Sequence, residues 1–269
     1  MHIQCVGTGS PAVVLDAGLS RTSLDWNLVQ AEMGHTTQVC AYDRAGMGWS
    51  ETGPQPRTPG QIARELHTLL TNAGIPGPYV LVGHSLGGKN VRMFALQHPD
   101  EVAGMVLVDA RSEYVDEHSS PADDQAFQQG LASQGNTYRL ARALGLVRLF
   151  GASQEGTPAM TTETRLEMAL FTTGQPGVDT TTAEALQRAA DDAQLQAAPS
   201  LGDKPLIVLA AGQNMDMLPH WSEAQRRMSV LSTNGRLIVA AGSGHAIHLE
   251  QPALVIDALQ QVVKQARGH

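Results

Sequence analysis

The segment Gly83-His84-Ser85-Leu86-Gly87-Gly88 directly follows the apolar run Tyr79 to Val82 and opens the helix-compatible stretch Lys89 to Gln97. A Gly-x-Ser-x-Gly sequence between a strand and a helix bends the chain so sharply that its central residue takes strained dihedrals. Only small flanking residues let the backbones pass, so Gly83, Gly87 and Gly88 are expected to hold Ser85 Oγ out above a sheet. That places a serine nucleophile at the end of a parallel strand and points to serine hydrolase chemistry.

The pattern around the turn agrees with such a sheet. Val13 to Leu15, Gln38 to Tyr42, Tyr79 to Val82 and Met105 to Val108 read as strands, and amphipathic stretches separate them. Thr58 and Pro59 form an N-cap and first-turn proline, Ile62, Leu66, Leu69 and Leu70 keep helical spacing, and Gly74 stops the helix. From about Arg111 to Asp203 the chain is rich in Gln, Ala, Thr, Asp and Ser, has helical patches such as Tyr138 to Phe150, and lacks a convincing strand. The strand and helix alternation then resumes with Leu206 to Ala210, Trp221 to Leu231, Arg236 to Ala240 and Pro252 to Ala266. The expected architecture is a mostly parallel α/β sheet flanked by helices, its core formed by 1–111 and 201–269 and a helical cap or lid by 112–200.

A chain of 269 residues accommodates one large core of this kind. Its formal charge of −8 repels phosphate backbones and argues against nucleic acid as a partner. Cys5 and Cys40 are too few for a zinc ligand set or a disulfide framework, and in strand-like runs they are expected to be buried free thiols. No stretch approaches a membrane span, and no basic-then-apolar leader opens the chain, so a soluble, cytoplasmic protein is expected.

Gly83 to Asn90 also reads G-x-x-x-x-G-K-N, close to a phosphate-binding loop, with Val106 to Asp109 resembling a strand that ends in a magnesium ligand. Asn90 occupies the position where that loop needs Ser or Thr to hold the metal, which counts against nucleotide binding. A serine instead requires a base of pKa near 7 within hydrogen-bond reach. Gly242-Ser243-Gly244-His245 supplies one in a loop after a strand, while the neighbouring His248 keeps the apolar spacing of a residue packed at the start of the last helix. A metal site using both histidines lacks further ligands at a recognisable spacing.

The base in turn needs a carboxylate to set its tautomer and stabilise the imidazolium. Asp109 ends the strand after the nucleophile's helix, and Asp216 lies in the Gly212 to Pro219 loop one strand later. Both strand ends face the same crevice, so position does not separate them. Asp216 follows Gly212 by four residues where a spacing of three is usual, which favours Asp109 and keeps Asp216 as the alternative. For an oxyanion hole the two donors are expected at Leu86 N–H, opening the helix, and Leu19 N–H, after the strand-ending Asp16-Ala17-Gly18. Gly7 to Ala12 matches G-x-G-x-x-A, but a strand follows where a dinucleotide site needs a helix. Arg44 is expected to brace a loop, and Trp26, Trp49 and Trp221 to pack in the core or at a rim, with lining of an acyl pocket as the alternative.

LDAGLS at 15–20, YDRAGMGWS at 42–50, YVLVGHSLGG at 79–88, VLVDA at 106–110 and SGHAIHLEQP at 243–252 together resemble the α/β-hydrolase superfamily, in a bacterial serine esterase-like branch. In that branch the later strand commonly lacks an aspartate, which the resemblance turns into support for Asp109. Two departures matter. Ala17 stands where many members carry a histidine, leaving the oxyanion loop without that side-chain brace, and only Met1 to Val6 precede the first glycine turn, so the usual first strand is short or missing. Ser85 separates the chain from haloalkane dehalogenases and epoxide hydrolases, which use an aspartate at the elbow.

The expected function is cleavage of a small or medium-sized carboxylic ester through an acyl-enzyme, without cofactor or metal. The same apparatus serves lactonase, thioesterase, amidase and perhydrolase activities. A ligand-capturing binding or signalling protein on this fold is the alternative of a different class.

Overall fold

The computed structural model describes residues 1–268. Seven strands, β1 (Ile3–Val6), β2 (Ala12–Asp16), β3 (Val39–Tyr42), β4 (Tyr79–His84), β5 (Val102–Val108), β6 (Leu206–Ala211) and β7 (Gly235–Ala240), form one sheet. Their order is β1-β3-β2-β4-β5-β6-β7. β1 runs antiparallel to β3, and the other neighbouring pairs are parallel. The short first strand is therefore present as a four-residue edge.

The helices are α1 (Asn27–Met33), α2 (Pro59–Asn72), α3 (Leu86–Gln97), α4 (Glu113–Glu117), α5 (Pro121–Ala143), α6 (Leu146–Phe150), α7 (Thr162–Thr172), α8 (Gln175–Leu186), α9 (Asp192–Gln196), α10 (Gly212–Met217), α11 (Trp221–Ser229), α12 (Ile247–Glu250) and α13 (Pro252–Ala266). Side chains alternate across each strand, so consecutive residues feed opposite cores. Val14, Leu81, Leu107 and Val208 pack with Leu66 and Leu70 of α2, Phe94 of α3 and Met228 of α11. Val13, Val82, Val106 and Leu209 pack with Val29 and Met33 of α1 and Val255, Leu259 and Val262 of α13. The central strands are buried on both faces, which is why they read as continuous apolar runs.

Local signals set the helix ends. Thr58 Oγ1 accepts from Gln61 N–H at the start of α2, and Gly74 at φ 65° lies just beyond its end. Gly145 at φ 73° divides the expected helical patch 138–150 between α5 and α6. Helices α4 to α9 all fall between β5 and β6, so the helical excursion interrupts the sheet's connectivity without adding a strand. No described helix is long and apolar enough to cross a membrane.

One expectation is overturned. Cys5 and Cys40 are joined by a disulfide across a separation of 35 residues. The antiparallel register pairs Cys5 directly with Cys40, a juxtaposition that distance along the chain conceals. Because the link closes a loop containing β2 and α1, replacing both cysteines by Ala should lower unfolding stability by about 2–4 kcal/mol. Urea denaturation of the oxidised protein and the double variant measures it, and equal midpoints would show that the link carries no stability.

Candidate active site

The turn expected at Ser85 is compressed to a single residue: β4 ends at His84, α3 begins at Leu86, and Ser85 sits between them at φ 52°, ψ −119°. Such a backbone costs on the order of 1–3 kcal/mol and persists only when its surroundings over-determine it. Here they do. A Cβ on Gly83 would lie 2.5 Å from Gly87 O, and one on Gly87 would lie 2.5 Å from Asp16 O. Ser85 N–H donates to Val108 O (3.2 Å) and Ser85 O accepts from Arg111 N–H (2.9 Å), tying the turn to β5 and the loop after it.

Leu86 N–H is at the first position of α3 and has no intrahelical acceptor. The loop after β2 comes down beside it. A Cβ on Gly18 would be 3.3 Å from Ser85 Cβ and 2.8 Å from His84 Nδ1, so the absent side chain is what lets the loop of Gly18 and Leu19 approach the serine.

β5 ends by delivering Asp109, fully buried and at φ 40°. Its Oδ2 lies 2.6 Å from His245 Nδ1, and its Oδ1 accepts from Ala211 N–H (2.9 Å) and Trp221 Nε1–H (2.8 Å). Asn214 Nδ2 also donates to Oδ2 and lies 3.2 Å from His245 Nδ1. Such a shell leaves the carboxylate one orientation and commits the Nδ1 proton of a neutral His245 to it. Nε2 is then the ring's basic nitrogen. The His245 side chain is 42% exposed, and among the described residues no hydrogen bond joins it to Ser85 Oγ.

The two candidate acids are thus placed differently. Asp216 is exposed on α10, with no side-chain hydrogen bond among the described residues. The segment expected to be a loop winds into a helix, in which residues two apart point about 200° apart around the axis. Asn214 therefore turns toward Asp109 while Asp216 turns away. Sequence reasoning missed Asn214 for that reason. Trp221, expected to pack in the core or at a rim or to line an acyl pocket, is buried and donates its indole N–H to Asp109.

Arg44 is almost wholly buried and spends its guanidinium on three elements: Nη1 donates to Asp16 Oδ1 (2.8 Å) and Ala17 O (2.6 Å), Nη2 to Gly18 O (2.8 Å) and Glu184 Oε2 (2.9 Å), and Nε to Glu184 Oε1 (2.8 Å). Burial opposes its charge, yet the Glu184 and Asp16 carboxylates outweigh burial and hold its pKa above the ordinary value. The brace that Ala17 cannot supply comes from Arg44. Lys89, the lysine of the phosphate-loop-like string, is also buried. Its Nζ is taken up by Asp116 Oδ2 (2.5 Å), Asp192 and Arg188 O (2.9 Å), leaving it committed to the helical excursion.

His67, His98 and Glu101 bring potential metal-ligating atoms within 4.8 Å of one another at the far end of α3. Their two imidazoles stack at 3.9 Å with planes 5° apart. In-plane lone pairs on parallel rings do not converge on one ion, so this arrangement is a stacked pair beside a carboxylate.

Beneath His245 lie two further histidines. His84 Nε2 donates to His245 O (3.0 Å) and fixes the loop that carries the base. His248 packs against Trp26, its ring nitrogens without a hydrogen-bond partner among the described residues. Burial, reinforced by neighbouring histidines, pushes the pKa of His84 well below the usual value, and burial pushes His248 down despite Asp25. With folded pKa values below the unfolded value of about 6.5, the unfolded chain binds more protons once pH falls under that value. Stability is therefore full above about pH 6.5 and declines as pH drops below it, by up to about 1.4 kcal/mol per pH unit for each group. Denaturation midpoints at pH 7.5, 6.5 and 5.5 should follow that course, and His248→Leu should flatten it; an unchanged slope would remove His248 from the account.

Comparison with known proteins bears on the whole arrangement. The family model described as the alpha/beta hydrolase fold matches residues 11–252. An uncharacterised protein of Schizosaccharomyces pombe is 30% identical over 88% of this chain, which spans only 43% of that relative's length. A provisionally named carbamate hydrolase of Pseudomonas savastanoi is 29% identical over 93% of this chain and 92% of its own. Among solved structures, a thermophilic esterase from Thermogutta terrifontis shares the fold with a TM-score of 0.75, at 23% identity over 98% of this chain and 93% of its own. A family match across nearly the whole sheet, over a strained serine turn at the end of β4, shows that the chain belongs to the alpha/beta hydrolase fold family.

Proposed function

We propose that this protein is a serine hydrolase that cleaves a carboxylic ester of a small or medium-sized substrate through an acyl-enzyme. The observation that carries the reading is the 2.6 Å contact of Asp109 with His245 Nδ1 at the same sheet edge as the strained Ser85. Ser85 Oγ attacks the carbonyl carbon while His245 Nε2 takes its proton, the hydrogen bond between them forming as substrate seats, as catalytic contacts that are long in free enzymes commonly do. The carbonyl oxygen becomes an oxyanion bound by the Leu19 and Leu86 amides. As the tetrahedral intermediate collapses, the ester C–O bond breaks and His245 returns the proton to the departing alcohol. Water repeats the sequence on the acyl-serine and releases the acid. Asp109, held by Asn214, Trp221 and Ala211, keeps the imidazole in the required tautomer.

The helical excursion 112–200 acts in this reading as a cap. Ser20 of the oxyanion loop packs beside Gln134, Tyr138, Thr172 and Thr181 of the excursion around a cavity of only about 10 Å³, room for no more than a water. The compartment follows from the redox state of Cys5 and Cys40, since a cytoplasm holds such a pair as thiols and an oxidising compartment as cystine.

An organophosphonate should label Ser85, identified by peptide mass, and p-nitrophenyl esters should turn over at rates falling with acyl length. Label elsewhere, or turnover surviving Ser85→Ala, would overturn the assignment, and saturable binding without turnover would point to a ligand-binding protein. For the acid, Asp109→Asn should reduce kcat by about four orders of magnitude, the scale of lost tautomer control. Asp216→Asn should leave kcat near the wild-type value, since its exposed side chain bonds nothing in the site among the described residues; a collapse in that variant would reverse the two roles.

A further inference from the structure

Glu184 lies on α8 of the helical excursion, only 1% exposed, and among the described residues its carboxylate is bonded to Arg44 alone. Arg44 follows β3, on the opposite side of this contact. All five N–H donors of a guanidinium are accounted for here: two on Glu184, one on Asp16, and one each on the carbonyls of Ala17 and Gly18. The same loop meets α8 a second time, since a Cβ on Gly46 would lie 2.0 Å from Thr180 Oγ1. The excursion and the loop after β3 are thus packed without clearance around one ion pair.

The carbonyl of Gly18 and the N–H of Leu19 belong to one peptide unit. Because that unit is planar and trans, its C=O and N–H point in opposite directions, and holding one aims the other. Arg44 Nη2 holds Gly18 O at 2.8 Å. It therefore aims the Leu19 amide, while Nη1 on Ala17 O holds the preceding unit at 2.6 Å. Glu184 in turn holds the planar fork of Arg44 by two parallel bonds, a geometry that a lysine cannot reproduce.

We infer that the Arg44–Glu184 pair makes the oxyanion loop depend on the docked excursion: α8, through Glu184, fixes Arg44, and Arg44 fixes the direction of the Leu19 amide. Arg44 and Glu184 are positioning residues, and this role rests on the ester-hydrolase reading above for its catalytic consequence. When the excursion lifts, Arg44 loses two of its acceptors and turns toward Asp16, and Gly18 O is left with only the Arg21 N–H, at 3.1 Å, to hold the Gly18–Leu19 peptide. Turnover then requires the excursion to be seated.

Glu184→Gln tests the coupling, since Glu184 touches no part of the oxyanion loop. It should lower kcat on a short p-nitrophenyl ester about ten- to a hundredfold, up to the scale of one lost oxyanion donor, with KM changed much less. Arg44→Lys should do the same. Amide hydrogen exchange at residues 17–20 should accelerate in Glu184→Gln. In the charge-free triple Arg44→Met/Glu184→Leu/Asp16→Asn, which also removes the buried carboxylate that Arg44 pairs with, the denaturation midpoint should recover toward wild type while kcat stays low, separating aim from stability.

A folded Glu184→Gln protein with wild-type kcat and unchanged exchange at 17–20 would overturn the coupling, as would recovery of kcat along with the midpoint in the triple variant. If Arg44 variants fail to fold, Glu184→Gln and Glu184→Asp decide. A wild-type protein that leaves the phosphonate unreacted would sink the ester reading alone, and exchange at 17–20 would still decide the coupling.

Discussion

The crossing of β4, α3 and β2 at Ser85 leaves no room for a side chain. A Cβ on Gly88 would come within 2.4 Å of Ala110 Cβ, as tightly as those on Gly83 and Gly87 meet backbone. This contact sets more than the serine. It brings the loop after β2 against the start of α3, and it ties the turn to β5, whose next residue is Asp109. Parallel strands in register carry every catalytic candidate to one edge, and α10 and α11 add Asn214 and Trp221 from just beyond β6.

Charge organises the second layer. Core cations meet acids of the excursion at several points: Arg21 with Glu155, Arg44 with Glu184, Lys89 with Asp116 and Asp192, and Arg92 with Glu113. Arg44 and Lys89 are fully or almost fully buried. Removing one partner of such a pair strands a charge at a cost of about 3–5 kcal/mol, so these contacts specify where the excursion sits more than they add net stability. Burial also explains why Asp16, bonded to both Arg44 and Tyr42, has its pKa raised even beside a cation. The formal charge of −8 is thus a surplus left over after the acids that face the core have been used, which composition alone does not reveal.

The sheet, the serine turn and the histidine loop were legible because each is local. Apolar runs, glycine spacing and an N-cap with its proline act over a few residues, and a chain read one window at a time exposes them. The strands came out within a few residues of their observed ends for this reason. Cys5 with Cys40 and Arg44 with Glu184 were not legible, since each pair meets through a register or a packing choice made by segments far apart in the chain. Asp109 and Asp216 could not be separated by position alone because both follow strands that end at the same edge. What separates their surroundings is whether the residues after β6 coil or wind, and winding turns Asn214 inward and Asp216 outward.

By itself the sequence determined the strained turn at Ser85, the parallel sheet that carries it and the glycine-rich loop of His245, because steric necessity at single residues and strand-scale hydrophobicity need no distant partner. Only the tertiary structure decided which carboxylate lies against His245, what braces the loop of Gly18 and Leu19, and how the helical excursion is fastened above it. Those outcomes depend on directions in space, and a helix turn of about 200° or a flat guanidinium fork selects a direction that no spacing along a chain encodes.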